Sequence, residues 1–155
     1  MKTLQEIKQH LDATNLELST QNRDDYGEVF TPSELIEQII ASSEFDKTLF
    51  TDPKKTVCDH GAGNGQFLST VLYCKLENGI DFEQALSTIY GVDLMPDNVK
   101  LCQDRLLCGR DDLRHIVEQN IVCADALTYH YRFDGTDANV SDHDLQLENL
   151  GFEFS

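Results

Sequence analysis

Apolar residues keep a helical period at the amino end, where Leu4, Ile7 and Leu11 recur through "TLQEIKQHLDA", and this spacing predicts a short amphipathic helix over residues 3–13. The period then stops. Residues 14–27, "TNLELSTQNRDDYG", read as a polar connection. Helical order resumes in "EVFTPSELIEQIIASSEF". There Thr31 is placed to cap a helix, Pro32 suits its first position, and Glu34 stands three residues after the cap, as a capping box requires. Leu35, Ile36, Ile39 and Ile40 form the stripe expected to be buried, in a helix ending near Ser43.

Beyond residue 50 the pattern alternates between short apolar runs and helical periods. "KKTVCD", "TIYGVD" and "NIVCAD" read as strands, each closing on an aspartate: Asp59, Asp93 and Asp125. Between the first two, Phe67, Leu68, Val71, Leu72 and Leu76 mark a buried helical face that "ENG" should stop, and "DFEQALS" follows with Asp81 as cap and Gln84 at the capping-box position. Between the second and third, "NVKLCQDRLL" is helical and "GRDDLRHIVEQ" a weaker helical turn. Alternation of this kind predicts an α/β fold, a mostly parallel, doubly wound sheet with helices on both faces. In such sheets ligands sit beyond the carboxyl ends of the strands, which is where the three aspartates fall. After Arg132 the chain has no Lys or Arg, and "LGFEF" is the one further strand candidate.

The 155 residues, 40% apolar and 26% charged, suit one soluble globular domain. No apolar run approaches the roughly 18 residues of a membrane span, and the amino terminus lacks a secretory apolar core, so a cytoplasmic location is expected. The five scattered cysteines form no C-x-x-C pair; they are expected to be reduced and mostly buried, with no metal site. With 28 acidic against 12 basic residues the net charge is −16. That field repels a phosphate backbone, so DNA should be met only indirectly or through a basic partner.

The turn after the first strand, "VCDHGAGNGQF", carries Gly61, Gly63 and Gly65. Glycines there permit positive φ and let a ligand lie against the backbone at a helix amino end, although a tight bend without a ligand has the same composition. The spacing matches neither the phosphate loop ending in Lys-Ser or Lys-Thr nor the full dinucleotide fingerprint. Asp93 is placed to accept from two ribose hydroxyls, or to cap the helix beginning near Pro96. Asp125 is placed to accept from an adenine amino group, or to serve as a cap.

Taken in order, "YGEVFTP", "VCDHGAGNGQFL", "IYGVDLMPDNVKLCQDRL" and "IVCADAL" resemble the leading motifs of S-adenosylmethionine-dependent adenine-specific DNA methyltransferases, the amino-methylating type of restriction-modification systems and viruses. The resemblance covers residues 26 to about 128. It implies a Rossmann-like methyltransferase fold, expected to be incomplete at the carboxyl end, with S-adenosylmethionine as cofactor. Phe30, Thr31 and Pro32 match the segment that contacts the methionine part. Asp59, Gly61, Gly63 and Gly65 match the glycine-rich motif, with His60 where proline is usual. Asp93 matches the ribose acid, and Asp125 with Ala126 the position that reads the cofactor adenine.

The family's catalytic tetrapeptide, N/D-P-P-Y/F, has no counterpart. Its side-chain and carbonyl acceptors orient the target amine while the aromatic ring stacks on the flipped base. In "FDGTDANVSD" only Asn139 falls where the motif's Asn would stand, followed by Val140, Ser141 and Asp142. Three regions are expected: an amino-terminal helix and connection (1–25), a cofactor-binding domain (26–129) and an acidic carboxyl-terminal segment (130–155). Two functions fit. One is the cofactor-binding domain of an adenine-N6 DNA methyltransferase, needing a catalytic or DNA-recognition protein subunit or further sequence. The other is a non-catalytic acidic interaction protein, a DNA decoy or a blocker of a host enzyme.

Overall fold

The computed structural model describes residues 2–12 and 33–133. Helix α1 spans residues 4–12, and α2 is Ser33–Ala41. A 3-10 turn, Lys47–Phe50, is capped by the Asp46 side chain, which accepts from the Thr48 amide. Then follow β1 (Val57–Asp59), α3 (Gln66–Glu77), α4 (Phe82–Ser87), β2 (Ile89–Asp93), α5 (Pro96–Leu107), a 3-10 turn at Asp111–Leu113, α6 (Arg114–Asn120) and β3 (Ile121–Cys123). The three strands form a parallel sheet in the order β1-β2-β3. This is the α/β alternation that the sequence predicts.

Side-chain alternation along the strands separates two faces. Val57, Ile89, Ile121 and Cys123 join the large core with α1 and with helices α3 to α6. Gly91 points the same way: a Cβ there would come within 2.9 Å of Leu68 and 3.0 Å of Ala62. The residues between them face oppositely, where Val92 and Val122 pack with Tyr129, Tyr131 and Phe133. Tyr90 also lies on this face, its ring 4.7 Å from that of Phe133. Among the described residues the helices thus cover one face of the sheet, and the chain leaving β3 crosses the other. The expected boundary at residue 129 falls inside this aromatic cluster. Ile7 and Leu11 of α1 likewise belong to the large core.

Helix ends follow their local chemistry. Asp81 accepts from the Glu83 and Gln84 amides at the start of α4. The reciprocal half of that capping box does not form, because the Gln84 side-chain amide donates instead to the Pro53 carbonyl at 2.7 Å. Helix α3 stops at Gly79, φ +87°: the Gly79 amide donates to the Leu76 carbonyl and the Ile80 amide to that of Lys75, the paired bonds of a Schellman end. Residues 114–120, expected as a weak turn, form a full helix because Val117 anchors it in the core. Lys75 is buried, its ammonium donating to the Lys55 carbonyl at 2.9 Å just before β1; burial lowers its pKa.

Several burial expectations change. Ile36 is fully buried, but Leu35 and Ile39 are 45% and 42% exposed, because α2 turns only one side toward α3. Phe67 and Leu76 are half-buried at the margins of α3's inner face. Of the five cysteines, all free, only Cys102 and Cys108 are buried; Cys58 is exposed and Cys74 and Cys123 are intermediate. The third strand ends at Cys123 rather than Asp125, whose carbonyl is taken up by a turn with the Thr128 and Tyr129 amides. Phe30, Thr31, Pro32, Asn139 and the "LGFEF" strand candidate lie outside the described residues.

Candidate cofactor site at the strand ends

Asp59 ends β1, and its Oδ1 accepts from the Gly61 amide at 3.0 Å, bending the chain at once. The Ala62 amide then donates to the Val92 carbonyl at 3.0 Å, tying the turn to the end of β2. Gly63 has φ +54°, and its amide donates to Asp93 Oδ1 at 3.1 Å. Gly65 has φ +86°, and a Cβ there would meet Cys102 Sγ of α5 at 2.9 Å. The turn therefore needs glycine at Gly63 for conformation, and at Gly65 for both conformation and packing. Gly61 differs. It lies outside the positive-φ set, and no atom of the described residues stands within 4 Å of where its Cβ would be.

Asp93 is the hub of the site. Besides Gly63 it accepts from the Met95 amide at 3.0 Å and from Asn98 Nδ2 at 3.2 Å, so it also organises the start of α5, where Pro96 occupies the first turn. Each carboxylate oxygen can accept more than one hydrogen bond, which leaves the helix-cap and ribose roles compatible. Asp125 accepts from the Leu127 amide at 2.9 Å in a local turn, and the Ala126 carbonyl accepts from the Tyr131 hydroxyl.

The register shows that the three acids are stepped. Asp59 is level with Gly91, and Asp93 with Cys123. Each aspartate thus stands two residues further along than the one before it. Along the slope, Leu94 is 67% and Leu127 89% exposed, which puts large apolar side chains beside Asp93 and Asp125. Periodicity did not mark these leucines, because they lie beyond the strand ends, but their place directly after or two residues after an acid was readable. Gly91 and Asn98 were likewise missed: their roles are a close approach and a carboxylate contact that no spacing reveals.

Burial pushes the Asp59 carboxyl pKa up; the Asp93 charge adds to this, while the Gly61 amide and His60 oppose it. His60 follows directly in the turn, its ring 5.0 Å from that of Tyr131 on the second face. A separate cavity of about 450 Å³ lies beside α3, lined in part by Leu11, Gln66, Tyr73 and Arg105; none of the three aspartates lines it. Among the described residues no cluster of His, Cys, Asp and Glu could hold a metal ion, and no helix is long and apolar enough to cross a membrane.

The family model for N-6 DNA methylase matches residues 16–141, more than half of the chain. The chain belongs to that family. Its function is therefore related to DNA methylation, in a family that generally uses S-adenosylmethionine. The matched span contains the glycine turn, all three strand-end aspartates and position 139. No curated protein and no solved structure gave a match.

Proposed function

We propose that the chain binds S-adenosylmethionine at the carboxyl ends of β1, β2 and β3, as the cofactor-holding domain of an adenine-N6 DNA methyltransferase. The observation that carries this reading is Gly61, a glycine that among the described residues neither backbone conformation nor packing requires, in the turn that follows the strand-end Asp59. An absent side chain is useful there if a ligand lies against the main chain.

In this reading Asp93 accepts from the ribose hydroxyls with the lone pairs that Gly63, Met95 and Asn98 leave. Leu94 and Leu127 supply apolar surface for the adenine ring, whose amino group donates to the Asp125 carboxylate, with Ala126 beside it. Phe30, Thr31 and Pro32 contact the methionine end. The bound cofactor supplies an electrophilic sulfonium methyl. The chain's own residues hold and orient it, and the orientation of a target amine requires acceptors that the N/D-P-P-Y/F tetrapeptide would provide and "NVSD" does not. Methyl transfer accordingly depends on a catalytic or DNA-recognition subunit, or on further sequence. The charge pattern supports the same dependence. Among the described residues Lys8, Lys55, Lys100, Arg110 and Arg114 are engaged by aspartates, and the net charge of −16 disfavours phosphate contacts. The cofactor unit in this scheme is residues 26–129, with 130–155 as an acidic segment, and its place of action is the cytoplasm.

A second reading is favoured by the hydrogen bonds themselves. Asp93 and Asp125 both organise turns without a ligand, so the fold could be kept by an acidic interaction protein that no longer uses the cofactor. Calorimetric titration with S-adenosylmethionine and S-adenosylhomocysteine separates the two: saturable binding supports the first, and no heat at millimolar ligand with folded protein supports the second.

A further inference from the structure

Arg105 is only 4% exposed, and among the described residues no carboxylate pairs with it within ion-pair distance. Its guanidinium is held by two backbone carbonyls instead. Nη2 donates to the Leu11 carbonyl at the end of α1, 2.8 Å away, and Nη1 to the Asn64 carbonyl in the glycine turn, at 3.5 Å. Among the described residues its Nε has no hydrogen-bond partner. Burial lowers the Arg105 pKa to about 10. One turn earlier on α5, Cys102 is the residue that a Cβ at Gly65 would strike. Helix α5 therefore touches the turn at two places, and one of them reaches through to α1.

We propose that Arg105 is a positioning residue that couples the docking of α1 to the shape of the glycine turn. Asn64 is fully buried between Gly63 and Gly65. The Asn64 carbonyl lies in the peptide plane that carries the Gly65 amide, so holding it restrains the turn two peptides after the Gly63 amide that donates to Asp93. The planar fork of a guanidinium can address two carbonyls on separate elements, which a lysine ammonium does less well. A buried cation held by neutral acceptors, as Arg105 is among the described residues, adds little stability compared with an apolar side chain, so its purpose is better sought in geometry. Linkage then requires reciprocity: a ligand that orders the turn strengthens the docking of α1 by the same factor. That last consequence rests on the cofactor reading; the coupling itself does not.

Amide hydrogen exchange of the ligand-free chain tests it. The Ala62 and Gly65 amides are hydrogen-bonded within the turn region, and the Ala124 amide, bonded to the Asp93 carbonyl, serves as reference. Ile7→Val loosens α1 in the core and is expected to speed exchange at Ala62 and Gly65 about threefold or more relative to Ala124. In an Arg105→Lys background the same substitution should leave that ratio unchanged; Arg105→Met gives a second background without the charge. Equal acceleration at all three amides, or the same turn-specific effect in both backgrounds, overturns the proposal. With S-adenosylhomocysteine added, the amides of α1 should exchange more slowly in the wild type and not in Arg105→Lys. A failure of the cofactor reading appears separately, as absent heat in calorimetry, and leaves the ligand-free comparison to decide the coupling.

Discussion

The Gly63 amide donates to the Asp93 carboxylate at 3.1 Å across 30 residues of sequence, so the glycine turn and the end of β2 form one unit in the free chain. A carboxylate shared between the turn, Met95 and Asn98 is held in one orientation before any ribose arrives, and such preorganisation lowers the ordering cost of binding.

Removing it should be felt twice. Asp93→Ala is expected to weaken S-adenosylhomocysteine binding by about 1.5–3 kcal/mol, the scale for hydrogen bonds to a charged group, and to lower the melting temperature because three donors lose their acceptor. Calorimetry and thermal melts of the same preparation measure both. Unchanged affinity would remove Asp93 from the ribose position.

Gly61 and Gly65 should respond oppositely to the same change. Gly65→Ala meets both positive φ and Cys102 Sγ, and is expected to cost about 1–3 kcal/mol of stability. Gly61→Ala meets neither, so stability should stay within about 0.5 kcal/mol of wild type, while cofactor affinity falls. Denaturant unfolding and titration of both variants check the contrast; a Gly61→Ala chain that binds normally would leave the open space over that residue unused.

Asp59 gives a pH signature. Burial, reinforced by Asp93, raises its folded pKa, so the folded chain binds the proton more tightly than the unfolded one. The associated stability is present below the ordinary carboxyl pKa and is lost as pH rises through the folded value. Asp59→Asn keeps an oxygen for the Gly61 amide and removes the buried charge. It should raise the melting temperature at neutral pH, and its stability should fall less than wild type's between about pH 4 and 7. A variant less stable than wild type at neutral pH would contradict this.

By itself the chain should neither retain duplex DNA at physiological salt nor transfer a methyl group to its adenines. The net charge of −16 opposes the first, and the missing tetrapeptide the second. A radiolabelled transfer assay on mixed-sequence DNA, with and without candidate subunits, measures the outcome. Incorporation by the chain alone, abolished by Asn139→Ala, would make "NVSD" a working catalytic motif.

What could be read from the sequence was what local chemistry dictates. The order of strands and helices, the glycine turn, and Asp81 as a cap all follow from residues near one another, and they stand in the structure as expected. What could not be read depends on contacts across the chain. Gln84 leaves its capping box for Pro53 because that carbonyl is within reach only after folding. Residues 114–120 gain a full helix through Val117's place in the core. The stepped arrangement of Asp59, Asp93 and Asp125 is set by strand register, which no single segment encodes. Arg105 looks in sequence like one more charged position on an amphipathic helix, and only the fold brings Leu11 and Asn64 to it.

The central claim is that the strand-end site holds S-adenosylmethionine, and calorimetric titration of the folded chain with S-adenosylhomocysteine tests it most directly. The expected result is saturable binding with one ligand per chain, weakened by Asp93→Ala and by Gly61→Ala. No heat at millimolar ligand, or binding indifferent to both substitutions, would contradict it.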